Sequence, residues 1–364
     1  MLARARQVAV IAHRPTITSD GLLQLIDHLV PVTVKARPSR RSTRLDAFLK
    51  DHGYGDLSAP VPDCREPGRV TLTRVEGAGV PVMATGLVES SQQEVAAVVD
   101  MLKRRAGSFS LVPNSYLLTV VTLSATHRSR LGAELKSAAA RDRVFAKFLR
   151  HVRIVGIDEV CGARATDVIL TLGFAKTTHG RLLQQFGDLE GEGGKGMLLD
   201  ALVLPDRNLD IVAAFSAEDL EDDRLHQPGP RLLKDLLTWA EHPDAEPVRP
   251  EQAEQSTNVL FRDLAQRLRT RGLDVALDYG YDQAPRIPLV VGLKNKPYAL
   301  AVLTDDAEFM HTQSTRERHR FTTEDLQYLG WSVMSVWSVS AFVNPDKEAD
   351  RIVARLADIY QQGR

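Results

Sequence analysis

Short apolar, β-branched runs alternate with segments of helical period over the first 240 residues. The runs at 8–11, 70–75, 116–123, 152–157, 167–174 and 209–215 predict strands. Several are apolar almost throughout, the pattern of strands covered on both faces. Between them, 91–105 and 140–151 predict helices. This alternation predicts a sheet of parallel strands in an α/β layer.

The pattern changes at 242–255, HPDAEPVRPEQAEQ, where three prolines and several acids predict a linker. Beyond it, Ser256 or Thr257 is placed to cap a helix that carries Leu260, Leu264 and Leu268 on one face and closes at Gly272. Strands are predicted at 287–292 and 298–303, then a polar basic loop, a helix at 323–329 ended by Gly330, and a strand at 331–337. A last helix at 346–360 sets Ala349, Ile352, Val353, Leu356 and Ile359 on one face. The order α-β-β-α-β-α describes a second, smaller α/β domain.

Composition narrows the function. At 364 residues the chain can bury two cores, and 43% hydrophobic with 26% charged residues is ordinary for a globular protein. The net charge of −1 provides no global positive field, so nucleic acid would need a local patch. Two cysteines, Cys64 and Cys161, exclude a disulfide framework and a cysteine-based zinc site. No apolar run approaches the roughly 20 residues that span a bilayer, and 8–11 is too short for a signal-peptide core. The expectation is a cytoplasmic protein without membrane contact.

Residues 167–194 read DVILTLGFAKTTHGRLLQQFGDLEGEGG. This stretch resembles superfamily 1 DNA/RNA helicases of the kind that end in a nuclease-like domain, where an apolar strand leads into a Gly-Lys-Thr-Pro-His-Gly-Arg loop and a Phe-Gly-Pro-Leu turn. RVEGAG (74–79), GLVESSQQEV (86–95), VVTLSATHRSRL (120–131), SAEDLEDDRL (216–225) and GPRLLKDLLTWAE (229–241) resemble other segments of the second motor lobe, in the same order. Further on, RIPLVVG, YALAVLTDDAEF, STRERHR, LGWSVMSVWS and AFVNPDKEADRI resemble the terminal domain of such helicases, of the PD-(D/E)xK or Vsr-like type. The resemblance implies a RecA-like lobe with a P-loop NTPase fold over 1–241, a linker over 242–255, and a restriction-endonuclease-like domain over 256–364.

The residues that would carry that chemistry are replaced. No GxxxxGK[ST] is present, and Gly193-Gly194-Lys195-Gly196 lacks both the leading glycine and the metal-binding hydroxyl. His13 and Thr16 stand where the third helicase motif has acid and glutamine. Cys161 to Thr166 occupies the fifth motif, with Arg164 in place of a carboxylate. Leu204 and Asp206 stand at the arginine positions of the sixth, where a cation would stabilise the transferring phosphate. In the nuclease-type domain Pro288 and Leu303 stand at the Asp and Glu positions that would hold a divalent metal. Asp305 and Asp306 are nearby carboxylates, off the pattern's place and more simply read as a strand-end turn.

Binding outlasts chemistry more easily. Lys176, Thr177, Thr178, His179 and Arg181 follow an apolar strand and offer hydroxyls and cations to phosphates. Arg316, Arg318, His319 and Arg320 form a second basic cluster, and Arg37, Arg40, Arg41 and Arg44 a third. No aromatic residue interleaves with these clusters in the sequence, and Trp331 and Trp337 read as core of a strand, which argues against a base-stacking platform. The acidic run 218–223 reads as a solvated helix face or a partner surface. The expectation is a non-catalytic, helicase-like accessory protein without cofactor that binds DNA, a DNA-processing protein partner, or both. A pure protein adaptor, an ATPase half-site completed by a separate first lobe, and a decaying remnant are the alternatives.

Overall fold

The computed structural model describes residues 40–54, 60–64, 68–81, 88–108, 116–160, 163–242, 250–252, 256, 258–281, 284–312 and 314–362. The strand expected at 8–11, His13, Thr16, Arg37 and Cys161 lie outside them. The described chain divides into two compact units. The first takes 45–54 and 68–242; the second takes 40–44, 60–64 and 250–362.

Helix α1 (Thr43–His52) opens the described chain. The first unit continues with strands β1 (Val70–Arg74), β2 (Gly79–Pro81) and β3 (Val88–Ser91), helix α2 (Gln92–Gly107), β4 (Leu118–Thr122), helices α3 (Ala125–Arg141) and α4 (Arg143–Phe148), and β5 (Val152–Gly156). Then come β6 (Ala165–Ala175), α5 (Gly194–Val203), β7 (Pro205–Ala214) and α6 (Pro228–Glu241). Five strands run parallel in the order β1-β7-β6-β4-β5. The short antiparallel pair β2–β3 joins the carboxyl end of β6 through Glu89 and Phe174. Every residue of β4 and nearly every residue of β6 is buried, as strands covered on both faces require.

Helix α2 shows how sequence becomes packing here. The Ser91 hydroxyl accepts the Glu94 N–H and starts the helix. Val95, Val98, Val99, Leu102 and Ala106 then fall on one face and pack with Leu118, Val120, Leu131, Phe145, Phe148 and Ile169. The single helix expected at 140–151 is instead broken at Asp142, whose carboxylate accepts the N–H groups of Val144 and Phe145. One helix ends there and another begins, because a side chain that caps competes with the helix it interrupts.

The second unit comprises β8 (Glu251–Gln252), α7 (Val259–Thr270), β9 (Leu273–Gly280), β10 (Ile287–Leu293), β11 (Leu300–Leu303), α8 (Ala307–His311), α9 (Thr322–Tyr328), β12 (Ser332–Ser335), α10 (Ser338–Val343) and α11 (Pro345–Gln362). The sheet order is β12-β11-β10-β9-β8, antiparallel except for β11 with β12. Leu289 and Val291 face a core shared with α7, α10 and α11, while Val290 faces another that contains Leu326, Leu329 and Trp331. Three features depart from the sequence reading. β8 forms within the expected linker. β9 was not expected, although Leu273, Val275 and Leu277 alternate. Helix α7 is capped by Asn258, whose side chain accepts the Phe261 N–H, and not by Ser256; Thr257 lies outside the described residues.

Two short early segments also join this unit. Cys64 donates its N–H to the Leu329 carbonyl at 3.1 Å, and Arg40 pairs with Asp63 at 2.6 Å. The buried Trp331 donates its indole N–H to the Pro62 carbonyl at 2.7 Å. Trp331→Phe keeps most of the apolar surface but leaves that carbonyl without its donor, a loss of about 1–3 kcal/mol. Scanning calorimetry should show a melting point lowered by several degrees; an unchanged melting point would mean the contact contributes nothing.

Candidate functional site

The carboxyl ends of parallel strands are where α/β sheets place ligands, at points where the strand order reverses. In the first unit that edge holds a buried polar chain. The His127 ring meets the Ser90 hydroxyl through Nδ1 and the Thr171 hydroxyl through Nε2, both at 2.8 Å. Thr171 donates to Glu94 Oε1 at 2.7 Å, and the Gly173 N–H donates to the same oxygen at 2.9 Å. Glu94, His127, Ser90 and Thr171 are each inaccessible to solvent. Glu94 Oε2 has no partner among the described residues. Burial pushes the Glu94 carboxyl from 4.5 up to about 7, against the hydrogen bonds from Thr171 and the backbone. Burial also lowers His127 from 6.5 to about 4, helped by the nearby Arg130 charge. Its members lie in three of the segments singled out from the sequence, 86–95, 120–131 and 167–194, but nothing in residue order showed that they meet.

Strand β6 leads from Gly173 straight into the loop singled out from the sequence. Lys176 is spent on an ion pair with Asp219 at 2.8 Å. Although burial alone would raise the Asp219 carboxyl, hydrogen bonds from Lys176 and Ser216 hold it below its ordinary range. Thr177 closes a tight turn: its N–H donates to the Arg181 carbonyl at 2.8 Å, and its hydroxyl accepts the Arg181 N–H at 3.2 Å. Thr178, His179 and Arg181 remain exposed. Of the expected phosphate contacts, then, His179 and Arg181 present free surface, while Lys176 and Thr177 hold the loop's shape. The acidic run is not a helix face. It forms two short turns in which Asp219 pairs with Lys176, Glu221 with Arg224, and Asp222 with Lys234.

The positions that the resemblance assigned to helicase and nuclease motifs fall as follows. Leu204 is buried at the end of α5, Asp206 lies on β7, and Arg164 is exposed just before β6. Pro288 and Leu303 adjoin Leu289 and Val302, which pair across β10 and β11, so the two nuclease positions do lie at the same end of that strand pair. Neither side chain offers an oxygen. Both oxygens of Asp305 are engaged by Ser338, one by its N–H and one by its hydroxyl, each at 2.7 Å, which caps α10. Asp306 accepts the Phe309 N–H at 2.8 Å and so caps α8. The donor set therefore does not fit a divalent metal, and no three His, Cys, Asp or Glu side chains converge as a metal cluster among the described residues.

The second basic cluster lies on a single π-helical turn, Glu317–Phe321, with Arg316 just before it. Such turns are rare and recur at functional sites. Arg316, His319 and Arg320 are exposed. Arg320 pairs with Glu324 at 2.7 Å, and the Arg318 guanidinium lies over the Phe309 ring at 5.4 Å. Neither Arg316 nor Arg318 has a carboxylate partner among the described residues. Aromatic rings, unexpected from the sequence order, surround this turn. Phe309 lies 5.3 Å from His319 and 5.6 Å from Trp337. Trp337 is not a strand core residue: it follows β12, immediately precedes α10 and is 41% exposed. Of the third cluster, Arg40 is consumed by Asp63.

A cavity of about 430 Å³ opens at the opposite, amino end of the parallel strands, lined by Arg69, Arg104, Arg105, Tyr116, Asp167 and Asp210 among others. Tyr116 donates to Asp167 at 2.7 Å and Arg105 pairs with Asp210, while the buried Nη1 of Arg105 has no hydrogen-bond partner among the described residues.

The Glu94 network carries a test. The folded state keeps a proton on Glu94 that the unfolded chain releases above pH 4.5. That stabilisation is complete below 4.5 and lost as pH rises to about 7. His127 acts in the other direction, its contribution present above 6.5 and lost as pH falls toward 4. Glu94→Gln removes the first of these. Between pH 5 and 8 this group's loss, on the order of 2–3 kcal/mol, should appear as the difference between the urea-midpoint profiles of the natural protein and the variant, since the opposing His127 contribution is common to both. An equal loss in both proteins would show that Glu94 is ionised throughout.

Comparison with known proteins bears on the second unit above all. Residues 261–356 match the model of the REase_MTES_1575 family, which is restriction-endonuclease-like. Among solved structures, the C-terminal domain of a possible DNA helicase from Lactobacillus plantarum WCFS1 is similar over 53% of this chain and 95% of that one, with 14% identity and a TM-score of 0.28. No curated protein matches. Residues 261–356 are thus a restriction-endonuclease-like region, following in the chain an α/β unit built on five parallel strands.

Proposed function

We propose that this protein is a non-catalytic, helicase-like accessory factor that binds DNA and works with a DNA-processing partner. One observation carries the reading. Where the resembled enzymes need phosphate- or metal-directed charge, the chain holds Leu204, Asp206, Pro288 and Leu303, yet exposed cations persist on the π-helical turn at Arg316, His319 and Arg320. The restriction-endonuclease-like match of residues 261–356 supports DNA as the polyanion. His179 and Arg181 supply a second exposed basic site in the other unit. The partner half of the reading is supported by α10, where Val339, Phe342 and Val343 are 70–75% exposed, more apolar surface than one short helix leaves bare without a use.

Titration of fluorescent single-stranded, duplex and forked DNA at two salt concentrations tests this. Three or four phosphate contacts give a log–log slope near −3, so affinity should fall about 50-fold between roughly 50 and 200 mM salt. Arg181→Glu and the pair Arg316→Glu, Arg320→Glu should each flatten that slope. Absence of binding to all three DNAs at the lower salt would remove DNA from the reading and leave the protein adaptor.

A further inference from the structure

We propose that the π-helical turn and the start of α10 form a stacking platform for the unpaired bases of single-stranded DNA, with Trp337 and Phe321 as the stacking faces and Arg316 and Arg320 as phosphate contacts. The inference rests on the DNA-binding reading above and narrows it to one form of DNA.

Two rings of this region are open to solvent. Trp337 is 41% exposed and Phe321 46% exposed, and Phe321 ends the turn that carries the arginines. Trp337 is braced from within the unit: Phe309 meets it edge-on at 5.6 Å, and His319 lies tilted against it at 6.2 Å. Phe309 is in turn fixed by His319 at 5.3 Å and covered by the Arg318 guanidinium. A ring braced by two neighbours and still 41% exposed is preorganised, so it loses little side-chain freedom when a base stacks on it. Asp305 contributes to the same arrangement, since its carboxylate fixes Ser338, the residue after Trp337.

Charge and shape select the occupant. Arg320 pairs with Glu324, while Arg316 and Arg318 have no carboxylate partner among the described residues, which leaves the turn suited to a polyanion. Exposed aromatic faces can stack only on bases that are not already stacked on both sides, and duplex DNA covers its base faces. A purely duplex-binding surface would have no use for open rings beside its arginines. The restriction-endonuclease-like character of residues 261–356 favours DNA over RNA as the strand.

The first arm of the test changes the ligand and leaves the protein intact. A single-stranded DNA oligomer and an abasic oligomer of equal length carry the same phosphates. Stacking predicts that the abasic strand binds at least about fivefold more weakly, and that the base-bearing strand quenches tryptophan fluorescence. In the second arm, Trp337→Ala and Phe321→Ala should each weaken single-strand binding by a similar factor while leaving duplex affinity unchanged; Arg316→Glu should weaken both. Equal affinity for base-bearing and abasic strands would overturn the platform while leaving the DNA reading standing, as would tighter binding to duplex than to single strand. Tighter binding to single-stranded RNA than to DNA would overturn the choice of strand. Failure to bind any nucleic acid would remove both readings together.

Discussion

A buried carboxyl group without an ionic partner among the described residues sits at the carboxyl edge of the parallel strands, and the geometry of that edge follows from accommodating it. Glu94 begins in the capping position of α2, where a Glu three residues after a capping Ser would normally reach back to the helix end. It turns instead toward β6 and accepts from Thr171 and from the Gly173 backbone. Thr171 passes the arrangement to His127, and His127 to Ser90, so α2, α3, β3 and β6 are tied together at one point. The backbone bends to allow it. Gly173 takes φ +74°, and a Cβ there would lie 2.7 Å from the Cβ of His127, so only glycine fits. Ser90 takes φ 59°, a strained value for a residue with a side chain. The loop beginning at Lys176 leaves the sheet three residues beyond Gly173.

The same substitution of structure for chemistry recurs in the second unit. Pro288 and Leu303 bring two motif positions to one end of a strand pair without a ligand atom between them. Asp305 stands close by, yet its carboxylate is held below its ordinary range, despite burial, by the backbone and hydroxyl of Ser338. A carboxylate whose two oxygens are both accepting short hydrogen bonds from one helix start is part of the scaffold. What the scaffold presents is different in kind: cations on a rare helical turn, and rings braced beside them. Binding of this sort needs charge and exposed area and tolerates the loss of every metal ligand, whereas hydrolysis does not.

Much of this was legible from residue order. The strands of the parallel sheet were visible at 70–75, 116–123, 152–157, 167–174 and 209–215 because burial on both faces leaves an apolar run that few other structures produce. Helices α2 and α11 were visible from the spacing of their apolar residues. The breaks were less visible. Asp142 could be read as one more polar helix position, and only its capping of Val144 and Phe145 shows that it divides two helices. β9 is eight residues long and alternates correctly, but Asp274 and Asp278 interrupt its apolar run.

Local pattern therefore determined the fold class, the order of most elements, the loop after β6 and the replacement of the motif residues, since each depends on neighbours within a few positions. Tertiary structure decided which of the candidate groups remain available. Lys176 is paired by Asp219, Arg40 by Asp63, and Asp305 by Ser338, partners 43, 23 and 33 residues away in the chain. It also decided that Phe309, His319 and Trp337, spread over 28 residues, meet beside the arginines that the sequence showed without aromatic company. The physical reason is the same in each case. Periodicity reports what a residue's own helix or strand does, while pairing, burial and ring contact are set by segments that only the folded chain brings within a few ångströms.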